Sequence, residues 1–421
     1  MHHSALGLLA LLLAAWLLSE NRRALLTLGA WRMVAAGLAL QFAIAGLVLR
    51  VPPLKALLMA LNGVVHALEE ATRAGTSFVF GALGGGPAPY EVTKPALAFS
   101  LAFQSLPLVI VIAALTSLLF YWNILQRVVR LFSLLLEKTM GIGGALGVGA
   151  AGCIFLGMIE SPLLIRPYLA VMTRSELFAL MATGMSCIAG TMLVLYATVL
   201  APVIPDALGH ILTASVIHAP AALLVASLML PETARPTLGH ELPRSGARGS
   251  IDALTRGTWE GLTLFWNIVA MLIVFVAVVK LANIGLAALP EFPGQGGAPL
   301  TLQRILGVAM APVAWLIGVP WAEAQTAGSL LGTKIILNEF LAFIDMAALP
   351  PEALSAHSRL ILTYAMCSFA NFGSLGILIA GLGTLCPERR GEITSLGMRS
   401  LVAGVIASLM TGTVVGVIAA F

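Results

Sequence analysis

The stretch MGIGGALGVGAAGCIFLGMIESPLLIRPYL, Met140–Leu169, decides the fold. Its composition suits a bilayer, yet it does not read as a simple span. Gly141, Gly143, Gly144, Gly147, Gly149, Gly152 and Gly157 precede Glu160-Ser161-Pro162, after which Leu163 to Ile165 lead into Arg166-Pro167. A proline behind a glutamate ends one helix, and the apolar arms on either side fall short of the roughly 20 residues a spanning helix needs. A re-entrant hairpin satisfies the pattern. Irregular backbone at membrane depth is tolerated only where it is buried in protein or lines a water-filled cavity, so the tip around Glu160 is a candidate site.

The rest of the chain supplies the membrane around that hairpin. Apolar residues make up 59% of the 421 positions and charged residues 10%, against about 25% charged in soluble domains. Eight spans are predicted, at 5–19, 29–49, 95–122, 175–203, 208–231, 259–287, 359–385 and 393–420. Ala5 to Leu18 reads as a retained first helix rather than a signal peptide, because Arg22 and Arg23 follow the apolar stretch instead of preceding it. Lysine and arginine cluster with those arginines on one side (Arg127, Arg130, Lys138, Arg174, Arg235, Arg244, Arg248, Arg256, Arg389, Arg390), which predicts a cytoplasmic face there and both termini outside. Arg50, Lys55, Arg73, Lys94, Lys280, Arg304 and Arg359 fall to the other side. Two stretches are amphipathic and interfacial: Asn123 to Lys138 inside, and Leu54 to Arg73 outside, with Asn62, His66, Glu69, Glu70 and Arg73 on one face. The +4 net charge suits the topology bias and points to no nucleic-acid partner. Cys153, Cys187, Cys367 and Cys386 form no CxxC pair, so they read as buried thiols and no metal is expected.

A second hairpin follows from the same logic near the other end. Trp321 to Met346 holds Gly328 and Gly332 and then Asn338-Glu339 inside an apolar run. Behind each hairpin comes a charged turn and a long helix interrupted by small or polar residues. After the first these are Arg174 and Ser186-Cys187-Ile188-Ala189-Gly190-Thr191; after the second, Arg359 and Ser368-Phe369-Ala370-Asn371-Phe372-Gly373-Ser374. By the topology above, the hairpins enter from opposite sides. That is an inverted repeat, a plan on which secondary transporters hold substrate at the midplane. The fold class is therefore an all-α integral membrane protein of about eight transmembrane helices, two oppositely oriented re-entrant hairpins and interfacial helices.

Glu160 and Glu339 are the acidic residues deepest in apolar sequence. A carboxylate there costs about 2.5 kcal/mol or more on insertion scales and normally faces a pathway, the alternative being a helix-tip carboxylate held by backbone amides, Lys334 or Arg166. Asn371 and Ser374, three apart, would share a face if their helix continued, and serve either substrate hydroxyls or interhelical contacts. Phe340, Phe369 and Phe372 offer aromatic surface. The glycine run lacks the Lys-Ser/Thr and the strand of a phosphate loop. A membrane-embedded enzyme using the two glutamates lacks a nucleophile and base signature, and a passive channel lacks a continuous polar stripe.

Three stretches resemble the concentrative nucleoside transporter family: Phe155 to Tyr168, Gly318 through Phe340, and Cys367-Ser-Phe-Ala-Asn-Phe-Gly-Ser374, with Pro387-Glu-Arg-Arg390 adding to the match. The likeness runs over roughly residues 95 to 420. It implies a homotrimer in the bacterial inner membrane whose mobile part carries nucleoside across like an elevator. It implies scaffold at 1–94, 95–122 and 204–298 and transport halves at 123–203 and 299–421. By position, Glu339, Asn371 and Ser374 resemble the group that holds ribose hydroxyls. Phe369 matches an aromatic packed on the nucleoside, Glu160 a carboxylate on the base side, and Met192 an apolar position below the base.

The departures from the family bear on selectivity and coupling. Where the family reads Gly-Gln-Thr-Glu, this chain reads Gly157-Met158-Ile159-Glu160, so two polar groups facing the base become apolar and base selectivity should be looser or shifted. Sodium-driven members use an asparagine and a serine side chain at positions that are Cys153 and Cys187 here, with Leu156 and Ile188 as the carbonyl donors. Thiols are soft ligands and sodium prefers hard oxygen, so proton coupling is expected, through Glu339 or Glu160, unless a slip of register brings Ser186 into play. No cofactor is expected.

Overall fold

The computed structural model describes residues 2–26, 28–89, 99–239, 245–288 and 300–419. Lys94, Arg244, the beginning of the predicted span 95–122, the predicted boundary at 298/299 and the side chain of Asn62 lie outside the described residues. All regular structure among the described residues is helical: α1 (His2–Leu17), α2 (Leu28–Arg50), α3 (Pro52–Phe80), α4 (Leu108–Tyr121), α5 (Ile124–Met140), α6 (Gly144–Phe155), α7 (Glu160–Leu164), α8 (Arg166–Leu169), α9 (Arg174–Ser186), α10 (Gly190–Leu200), α11 (Ala207–Met229), α12 (Ser250–Ala287), α13 (Leu302–Leu316), α14 (Trp321–Ile336), α15 (Glu339–Ala348), α16 (Ala356–Met366), α17 (Phe372–Leu385) and α18 (Arg390–Ala419).

Six helical segments among the described residues are long and apolar enough to cross a membrane: Trp31–Arg50, Leu101–Tyr121, Arg174–Leu200, Ala207–Met229, Ser250–Ala287 and Pro387–Ala419. Two of the eight predicted spans take another form. The first is the shorter apolar helix Ser4–Leu17, and 359–385 is divided into α16 and α17. The division has a local cause, because Asn371 is extended and its side chain caps α17 instead of continuing a helix.

Burial separates a core from a periphery. The α9–α10, α11 and α18 segments are mostly buried, whereas α12 is mostly exposed. The α12 helix packs along α4 through Gly257 and Gly261, where a Cβ would lie 2.6 Å from the Ala113 carbonyl oxygen and 2.7 Å from the Ile110 Cα. Its 38 residues exceed a bilayer-spanning length, and its first turns carry the charged Asp252 and Arg256. Arg256, read above as a loop residue, stands in those turns and pairs with Asp252 one turn away at 3.1 Å.

The glycines of the two predicted hairpins are packing surfaces. Against α6, a Cβ at Gly147 would meet Glu137 and Ser133 of α5 at 2.8 to 2.9 Å. On α14, a Cβ at Gly328 would lie 2.6 Å from the Gly307 carbonyl oxygen, and one at Gly332 would lie 2.5 Å from Leu306, both on α13. Small residues thus let each preceding helix lie close, as in membrane helix pairs generally. Helix α13, which the sequence reading leaves unassigned, bends by 117° into α14 at 317–320. Its 15 residues fall short of a span and Pro312 interrupts it, so neither its length nor its composition marks it as a helix.

Candidate substrate-binding site

Four interrupted helices converge on the site. The chain breaks between α6 and α7, between α9 and α10, between α14 and α15, and between α16 and α17. The first two breaks touch: Gly157, at φ +105°, leaves no room beside Ala189, whose Cβ would lie 2.9 Å from an added Cβ. Only glycine meets both conditions at that position. The second and fourth breaks are joined by the Phe369 amide, which donates to the Cys187 carbonyl oxygen at 3.4 Å.

Asparagines build two of the helix starts. The Asn338 Oδ1 accepts the Leu341 N–H at 2.8 Å and caps α15; the Asn371 Oδ1 accepts the Ser374 N–H at 2.7 Å and caps α17. Each satisfies an N–H that the helix itself leaves unpaired. Capping fixes the side chains that matter. Glu339, the first residue of α15, is 3% exposed. Its Oε2 accepts from Asn371 Nδ2 at 2.8 Å and its Oε1 from the Tyr196 hydroxyl at 2.5 Å. Asn371 therefore caps its own helix with one end of the amide and reaches Glu339 with the other.

The buried Lys334 lies within Coulombic reach of Glu339, and its Nζ donates to the Ala370 carbonyl oxygen at 3.0 Å. A carboxylate this deep needs such company, because an unpaired buried charge is costly. Tyr196 is wholly buried, stacked with Phe340 at 5.9 Å between ring centroids and tilted against Phe343 at 5.3 Å.

Glu339 and Asn371 are thus joined directly. Asn371 and Ser374 meet through the Ser374 amide at a helix start, not along the continuous helical face the spacing suggested. Phe369 is half-buried beside them. Met158 and Met192 are buried, and a Cβ at Gly184 of α9 would lie 3.1 Å from Met158. Ile159 lies against α17, close to Gly381. Glu160, by contrast, is exposed, and among the described residues no hydrogen bond ties it to Glu339. Its charge is opposed by Glu260 of α12.

Cys153, Cys187 and Ile188 are buried at the α6 and α9–α10 breaks, with Leu156 half-buried. The Cys187 thiol meets the Ser215 carbonyl oxygen at 3.7 Å. Ser186 donates to Ala182 within its own helix at 2.7 Å. Sequence reasoning missed Tyr196. The available signal was a hydroxyl in an apolar helix one turn beyond Met192, which a buried tyrosine must satisfy.

The comparisons with known proteins add a family. Residues 210–416 match the C-terminal model of the Na+ dependent nucleoside transporters, residues 6–83 the N-terminal model, and residues 102–203 a model described as nucleoside recognition. An uncharacterized transporter of Haemophilus influenzae is 37% identical over 98% of this chain and 96% of its own length. The nucleoside permease NupC of Helicobacter pylori is 33% identical over 98% and 96%. The chain belongs to the concentrative nucleoside transporter family. A solved concentrative nucleoside transporter, CNTnw in an inward-facing substrate-bound state, superposes with a TM-score of 0.88 at 34% identity, covering 99% of this chain and 97% of that one. This concentrative nucleoside transporter is a multi-pass protein of the bacterial inner membrane, and its relatives are transporters and permeases rather than enzymes.

Proposed function

We propose that this chain is a symporter that carries nucleosides inward, with ribose held by Glu339, Asn371 and Ser374 and coupled to protons. The Glu339–Asn371 pair at two capped helix starts carries the reading. A carboxylate beside an amide supplies the acceptors and donors that vicinal hydroxyls need. Phe369 would pack on the nucleoside, while Met158, Ile159 and Met192 would present an apolar wall to the base, with Glu160 at its polar edge. A wall of that kind discriminates weakly among bases. Modified nucleosides or other ribosyl compounds fall within the same chemistry.

The shared construction supports re-entrant hairpins in an inverted repeat. Helix α5 lies on Gly147 of α6 as α13 lies on Gly328 and Gly332 of α14, each pair is followed by a break and a shorter helix, and a broken helix comes after each. In this reading the hairpins and broken helices form the moving part, α4 and α12 belong to a scaffold, and the assembly is a homotrimer bathed in lipid.

Proton coupling rests on the Cys153 and Cys187 thiols at the positions where sodium would need oxygen. The Ser186 hydroxyl donates to the Ala182 carbonyl oxygen within its own helix and keeps its lone pairs, so it is the one oxygen that a slip of register would offer sodium. The proton would travel on Glu339 or Glu160. One observation favours sodium instead: the family model matching residues 210–416 describes sodium-dependent transporters. Uptake of labelled uridine and adenosine into vesicles under imposed pH or sodium gradients separates the two. The proton reading requires accumulation driven by the pH gradient in sodium-free buffer.

A further inference from the structure

The Tyr196 hydroxyl is a polar group at the heart of the site to which the proposed transport gives no part. We infer that Tyr196 is a positioning residue: its hydrogen bond pins the Glu339 carboxylate so that the carboxylate faces the sugar rather than turning onto Lys334. The inference rests on the reading of Glu339 as the ribose acceptor. Three observations support it. The hydroxyl donates to Oε1 at 2.5 Å, while Oε2 receives Asn371, so each oxygen has one fixed partner and retains lone pairs for a hydroxyl. The tyrosine cannot follow an incoming ligand, because its ring is wholly buried against Phe340 and Phe343. Lys334 is buried within Coulombic reach of the same carboxylate, and its Nζ donates to the backbone carbonyl oxygen of Ala370.

Without the phenol the carboxylate is free to rotate, and the lysine is the strongest attraction in reach. Sugar recognition should then weaken while the base side, whose residues make no bond to the phenol, keeps its order of preference. Tyr196 comes from α10, whereas Glu339, Asn371 and Ser374 come from α15 and α17. It thus ties the sugar half of the site to the helix that carries Met192.

The test is direct binding of uridine, 2′-deoxyuridine and 3′-deoxyuridine to purified full-length protein, wild type against Tyr196→Phe. Losing one hydrogen bond to a charged group should weaken uridine binding about tenfold. At least one ratio of uridine to deoxyuridine affinity should fall with it, and the order of preference among bases should stay as in the wild type. Combining Tyr196→Phe with Glu339→Gln should give no further loss of the ratio, since both act on one interaction. Equal weakening of all three ligands, or unchanged ratios, overturns the positioning role. Should Tyr196→Phe fail to fold, 3-fluorotyrosine at position 196 keeps the packing and changes only the donor: a shifted ratio supports the inference and an unshifted one overturns it. If the wild type binds no nucleoside at all, the reading of Glu339 falls first, and the inference with it.

Discussion

Glu339 holds two hydrogen bonds with no slack, one to each oxygen, so changes there should act on the sugar more than on the fold. Glu339→Gln keeps the shape of the side chain but replaces one carboxylate oxygen by a donor facing either Tyr196 or Asn371. Uridine affinity, read by titration calorimetry, should drop about a hundredfold, the range expected when hydrogen bonds to a charge are lost. Asn371 has two duties that can be separated. Asn371→Asp retains the oxygen that caps α17 and sets a like charge against Glu339; Asn371→Ala loses the cap as well. Both should abolish saturable uptake in vesicles, and the alanine variant should also lose about 1 kcal/mol from the cap alone. At Gly157, φ +105° and the approach of Ala189 act together. Gly157→Ala should lower the thermal midpoint by several degrees, reading a cost of about 1–3 kcal/mol for strained backbone.

Helix interruptions place these residues, and they were legible to different degrees. The break near Pro162 was legible but misplaced, since α6 ends at Phe155 and Pro162 stands in the first turn of α7, where proline is tolerated; the Asn338-Glu339 pair marked its break directly, because a short polar side chain competes for backbone hydrogen bonds. The break at Asn371 was legible as a polar interruption but not as a cap, since one spacing of three serves a helical face or an N-cap and its third residue equally. Helix α13 left no clear trace, and the role of Gly328 and Gly332 depends on it, so their purpose stayed hidden with their partner. Tyr196 was hidden differently: nothing local distinguishes a tyrosine that packs from one whose hydroxyl reaches another helix 143 residues away. The thiols at Cys153 and Cys187 were legible through the family pattern, and they allow a reversal. The double variant Cys153→Asn, Cys187→Ser should acquire sodium-stimulated uridine uptake; no response to sodium would show that more than those two ligands is missing.

Across the whole molecule, the buried segments α9–α10, α11 and α18 contrast with the thinly covered α12, which touches α4 through Gly257 and Gly261. Gly261→Leu should force α4 and α12 apart. The expected readout is a lowered thermal midpoint in detergent with uridine affinity unchanged, because no residue of the sugar site lies on either helix. A matching loss of affinity would tie the two regions more closely than the packing suggests. The account as a whole turns on work done against a gradient. The most direct measurement is accumulation of labelled uridine in reconstituted vesicles, sodium-free, with the interior made alkaline. The account predicts accumulation above the external concentration, abolished by a protonophore and by Glu339→Gln. Accumulation that requires a sodium gradient and ignores the pH gradient would contradict it.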